Sequence, residues 1–104
     1  MAKDVEQLAT QLWAIGDATR LKILQMLPDT ADCESSKNVS QLAEKLNLSQ
    51  PTVSHHLRVL RQAGIVSHKK ACRDCYYWVD RDAASDVIER LDCLLGVSSP
   101  SVAD

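Results

Sequence analysis

The 104-residue chain holds only three glycines and three prolines, so few positions force a turn or break a helix. Ala, Leu, Gln and Glu are plentiful between those breaks, which points to a mainly α chain. Long apolar runs are missing as well. The uninterrupted ones last a few residues, too short to cross a bilayer. The opening MAKDVEQLATQLWAIGD lacks an apolar h-region and is amphipathic from its start, so no signal peptide and a cytoplasmic address are expected. Thiols stay reduced there, so Cys33, Cys72, Cys75 and Cys93 are expected to bind or switch rather than to staple.

One absence is local. From Lys45 to Arg73 there is no Asp or Glu, while six Lys or Arg residues fall within the segment. The rest of the chain carries the other six basic residues and all 14 acids, a local balance of −8. A solvated face ordinarily mixes signs, so a segregated basic block points to an anionic partner. At this length the chain is one domain, expected over residues 1–97, with SSPSVAD (98–104) as a disordered tail.

Apolar periodicity places the elements. Val5, Leu8, Ala9 and Leu12 recur at helical spacing, followed by Trp13 and Ile15, and Gly16 interrupts them. Asp17 is a good N-cap for ATRLKILQML, where Leu21, Leu24 and Leu27 form a stripe with Ile23 alongside until Pro28. DTADCESSKN reads as a polar loop. A short third helix runs from about Ser40 to Leu46, and Asn47, Leu48 and Ser49 connect it to a fourth, QPTVSHHLRVLRQA. Ser49 caps that helix, Pro51 sits in its first turn and Gly64 closes it. Two helices joined by so short a turn are a helix-turn-helix. IVSHKK and CYYWV then read as a β-hairpin. A last helix runs from about Asp82 to Leu95 and ends at Gly96. The expected fold is mainly α with a β-hairpin wing: a winged helix-turn-helix of five helices.

Val53, Leu57 and Leu60, spaced i, i+4, i+7, are expected to face the core. Ser49, Gln50, Thr52, Ser54, His55 and Arg58 are left to meet DNA. In this motif the N-terminal part of the second helix reads base edges, where Gln and Arg pair bidentately with adenine and guanine. Lys69, Lys70 and Arg73 on the wing would reach phosphates, adding affinity and salt dependence but no sequence information. His55 and His56 have a plainer reading as polar surface residues, one of them packed at the helix edge. Val87, Ile88, Leu91, Leu94 and Leu95 give the last helix an apolar stripe. The first helix carries another, and packing both across a two-fold axis would cover them in a homodimer.

The runs WAIGDATRLKILQML, VSQLAEKLNLSQPTVSHHLRVLRQAGIVSHKK and CYYWV together resemble the ArsR/SmtB family of bacterial winged-helix repressors, over roughly residues 8 to 95. LSQPTVSHHLRVLRQAGIV is the specific part. The resemblance implies a homodimer joined through its first and last helices, which sits on double-stranded operator DNA and leaves when an inducer binds. Ala18 departs from the family's usual Pro. The family's sensor sites do not carry over. Asn38, Ser40 and Ala43 stand where its arsenic and cadmium type has cysteines. Arg81, Ala83, Leu94 and Val97 stand at the zinc positions, and Gln25 and Gly96 at the persulfide-sensing pair.

That leaves KKACRDCYYW. Cys72 occupies the wing glycine of the family, and Cys75 lies just before Tyr76-Tyr77. With Arg73-Asp74 as a two-residue turn, Cys72 and Cys75 would face each other at about 4.5–5.5 Å between Cβ atoms. They could then hold a thiophilic metal or metalloid, As(III) or Zn/Cd, or oxidise to a disulfide. Cys93 or Cys33 is a candidate third ligand. His68 is too far along the strand to share an ion with Cys72. Alternatives stay open: the pair as bystanders, a catalytic dithiol, structural zinc, or a winged helix used only for protein contacts.

Overall fold

The computed structural model describes residues 2–28, 37–71 and 74–97. Cys33, Cys72, Arg73 and the tail 98–104 lie outside them. The elements are α1 (Ala2–Ile15), α2 (Ala18–Met26), β1 (Lys37–Asn38), α3 (Val39–Leu46), α4 (Gln50–Gln62), β2 (Val66–Ala71), β3 (Asp74–Val79) and α5 (Arg81–Leu95). Five helices and a wing form the expected winged helix-turn-helix. Among the described residues no helix is long and apolar enough to cross a membrane.

Capping explains where the helices start. Asp17 accepts the backbone N–H of Arg20 at 3.1 Å and opens α2. Asn38 accepts the N–H of Gln41 at 2.8 Å while its own N–H donates back to the Gln41 side chain at 2.9 Å. This capping box sets the start of α3 one residue before the expected Ser40. Asn47 ends α3 in the left-handed region, φ 58°, which Asn tolerates better than most residues. Asp80 opens α5 one residue earlier than expected by accepting the N–H of Ala83 at 3.1 Å.

The core gathers Leu8, Ala14, Ile23, Leu42, Ala43, Val53, Leu57, Leu60, Ile65, Val66 and Val87. The expected inner stripe of α4 is confirmed, since Val53, Leu57 and Leu60 are fully buried. In α2 the expectation needs correcting. Ile23 is its buried apolar residue, Leu24 and Leu27 are half-buried, and Leu21 is exposed. Arg20 takes the place beside Ile23, for reasons given below.

The sheet differs from a two-stranded hairpin. β1 adds to β3, giving the antiparallel order β1-β3-β2, with Lys37 opposite Tyr77 and Asn38 opposite Tyr76. The hairpin register pairs Val66 with Val79, His68 with Tyr77, Lys70 with Cys75 and Ala71 with Asp74. The expected turn at Arg73-Asp74 is thereby corrected: Asp74 is already a strand residue, and the partner across from Cys75 is Lys70, not Cys72. Arg-Asp lacks the Gly or Asn that a tight turn prefers, and the pairing closes one residue earlier in the chain.

Candidate nucleic-acid interface

The exposed face of α4 follows from its buried one. With Val53, Leu57 and Leu60 turned inward, helical geometry sends Pro51, His55, Arg58 and Gln62 outward, and all four are exposed. Gln50 and Thr52 are also exposed, and Ser54 is half-buried at the flank. The expected contact residues of α4 therefore share the solvent side of one helix. Gln62 belongs to the same stripe and was missed, although its spacing from Arg58 could have shown it.

Ser49 and Thr52 are partly committed. The Ser49 hydroxyl accepts the Thr52 N–H at 3.3 Å, and the two hydroxyls lie 2.8 Å apart. One donates to the other, so the pair keeps one proton to offer a phosphate or base.

The wing alternates. His68 and Lys70 on β2 share a face with Cys75 and Tyr77 on β3, whereas Lys69 and Tyr76 share the opposite one. His68 stacks on Tyr77 with ring centroids 5.8 Å apart. Burial, above all, and a hydrogen bond with Cys75 push the Tyr77 hydroxyl up from its usual pKa, while Arg61 and Arg58 pull against this. Those arginines belong to α4, so Tyr77, on the face that Lys70 shares, lies within their electrostatic reach. Lys69 and Lys70 are both exposed, but they leave the sheet on opposite sides. Arg73 lies outside the described residues.

Behind the exposed face, Arg20 of α2 is buried. Its guanidinium donates to the Ala14 carbonyl at 2.6 Å and the Trp13 carbonyl at 3.5 Å, both at the end of α1. It bonds the His56 Nδ1 of α4 at 3.1 Å and lies 4.9 Å over the Trp13 ring. His56 is thus the histidine packed at the helix edge, and His55 is the exposed one. Burial lowers the His56 pKa from its usual 6.5; Asp17 raises it, and Arg20 and His55 lower it further. Nothing in the sequence flagged Arg20, since an arginine in a nine-residue helix ordinarily reads as surface.

Two thiols fall among the described residues, on different elements. Cys75 is half-buried on the wing, and Cys93 is exposed on α5. Among the described residues no three His, Cys, Asp or Glu side chains gather where they could hold a metal ion. Cys72 and Cys33 lie outside those residues.

A helix-turn-helix with a cationic outer face and an adjoining basic wing defines a DNA-binding regulator. The family of bacterial regulatory proteins called arsR matches residues 17–68, and the chain belongs to that family. It is therefore a transcription regulator and not an enzyme. An HTH-type transcriptional regulator of Methanocaldococcus jannaschii is 36% identical over 84% of this chain and 93% of its own. The arsenical resistance operon repressor of Staphylococcus aureus is 29% identical over 86% of this chain and 81% of its own. Among solved structures, a homodimeric winged helix-turn-helix DNA-binding domain from Mycobacterium bovis aligns with a TM-score of 0.67 at 27% identity, covering 92% of this chain and 81% of that one.

Proposed function

We propose that the protein is a homodimeric transcriptional repressor that lays α4 in the major groove of its operator and is released by chemistry at its cysteine thiols. The observation that carries the DNA reading is the exposed stripe of α4, with Gln50, Thr52, His55 and Arg58 on a segment free of acids. Gln50 and Arg58 read bases, and Ser49, Thr52 and Ser54 contact the backbone or base edges. Lys69, Lys70 and Arg73 hold phosphates. Lys70, on the face shared with Tyr77, makes the stronger contact of the two lysines.

The dimer forms through α1 and α5. Its support is the apolar surface those helices leave uncovered: Val5 and Trp13 on one, and Ile88, Leu94 and Leu95 on the other. The relative from Mycobacterium bovis is homodimeric.

The inducer in this reading is a thiophilic ion, As(III) or Zn/Cd, taken at Cys72 and Cys75 with Cys93 or Cys33 as a third thiol. Thiolates suit such soft ions. A change at these thiols reshapes the wing tip and draws Lys70, paired with Cys75, away from the phosphates. Oxidation of the cysteines is the second reading, favoured by Cys75 being a free, partly accessible thiol. A titration of the reduced protein on duplex DNA from its own promoter region tests both. Release by arsenite, zinc or cadmium that vanishes when Cys72 and Cys75 become Ser supports the ion. Release by peroxide alone selects oxidation, and release indifferent to both substitutions removes the wing thiols from the mechanism.

A further inference from the structure

Behind the recognition helix, a buried arginine links it to the end of α1. Arg20 is 6% exposed, and its guanidinium spans three elements. Two of its bonds close the last carbonyls of α1, which a helix end leaves unpaired, and a third reaches His56 on α4. The ring of Trp13 covers one side of the guanidinium plane. The group cannot swing away from α1 without surrendering the 2.6 Å bond to Ala14 and the contact with Trp13. Whatever changes at the junction is therefore taken up by His56 and the helix that carries it.

The chemistry of that third bond is one-sided. An arginine is always a donor, so His56 Nδ1 has to be the acceptor, which fixes the ring as the neutral Nε2–H form. We propose that Arg20 and His56 are a positioning pair for operator binding: neutral His56 seats α4 against the α1–α2 corner, and protonated His56 unseats it. The proposal rests on α4 being the helix that enters the groove. Adding a proton to Nδ1 replaces an acceptor with a donor facing a donor, and it sets a second cation beside a buried one.

Asp17, the N-cap of α2, favours the imidazolium and Arg20 of α2 opposes it; on α4 itself, the His55 ring, 5.5 Å away and edge-on, also opposes it. Burial adds to the opposition and is the largest influence. Because the folded group is the weaker base, the seated state is complete at pH above 6.5 and is lost as pH falls below it.

The test compares the wild type with His56→Asn, whose Oδ1 can accept from Arg20 but cannot titrate. Affinity for promoter duplex is followed by fluorescence anisotropy from about pH 8 to about pH 5.5, across the ordinary histidine range. His55 and His68 are present in both proteins, so their contribution divides out. The two proteins are expected to bind alike at the upper end. Toward the lower end the wild type should weaken relative to His56→Asn, approaching about tenfold per pH unit for each histidine protonated. Parallel profiles would overturn the proposal. A second readout does not depend on DNA or on the variant folding: long-range proton–nitrogen NMR of the wild type should find His56 as the Nε2–H tautomer, titrating below the ordinary histidine value of 6.5. An Nδ1–H tautomer, or titration at or above the ordinary histidine value of 6.5, would overturn it equally. Should neither protein bind DNA at any pH, the operator-binding reading fails, and the tautomer still decides the pairing.

Discussion

The α3–α4 unit and the α1/α5 layer are both amphipathic, yet they end in opposite states. The inner residues of the helix-turn-helix, Leu42, Val53, Leu57 and Leu60, are wholly enclosed within one chain. In α5 only Val87 is enclosed, while Ile88, Leu94 and Leu95 stay 68%, 65% and 67% exposed. The recognition unit is finished by its own chain. The outer helices are left open, and the homodimer proposed above would cover them. The contrast assigns the two regions different jobs: one to present a fixed surface, the other to set the spacing of two such surfaces.

The comparison can be broken from either side. The largest effect belongs to the enclosed core: Leu57→Ala should cost about 2–5 kcal/mol, read by urea denaturation, because the side chain is fully buried and its removal leaves a cavity. Next is the open layer. Ile88→Asp should leave thermal unfolding of the chain nearly unchanged at low concentration, abolish self-association in sedimentation, and weaken operator binding by about 10²-fold through loss of the second half-site. If Ile88→Asp instead unfolded the chain as Leu57→Ala does, the two regions would not be independent in this sense.

Smaller effects sharpen the boundary. Asn38→Ala removes the capping box that starts α3 and should cost about 1 kcal/mol of stability, measured by the same denaturation. On the wing, each lysine that holds a phosphate adds about 0.9 to the salt slope of binding. Lys70→Ala should therefore lower that slope by about one unit, and Lys69→Ala, on the opposite face, by less. Equal slopes for the two variants would show that both side chains reach round to the DNA.

The helix-turn-helix was legible in the sequence because its punctuation and its period agree. Ser49, Pro51 and Gly64 bracket α4 as their chemistry predicts, and Val53, Leu57 and Leu60 sit inside as their spacing predicts. Elsewhere local rules had less to work with. Lys37 and Asn38 carry no strand propensity; their pairing with Tyr77 and Tyr76 is imposed by β3. In α2 the leucines at every third position suggested a stripe, but burial of Arg20 against Trp13 and His56 turned the helix so that Ile23 faces inward. A charged side chain that satisfies carbonyls of a preceding helix leaves no periodic signal. The same holds at the wing tip, where register rested on a turn without Gly or Asn, and the pairing of Lys70 with Cys75 could be read only from the fold.

In the proposed complex, two chains present two α4 helices to one operator. Sedimentation of the protein with a promoter duplex, at low and at high salt, tests it most directly. Two chains per duplex are expected at low salt, with steep dissociation as salt rises. A single chain bound per duplex, or binding that ignores salt, would contradict it.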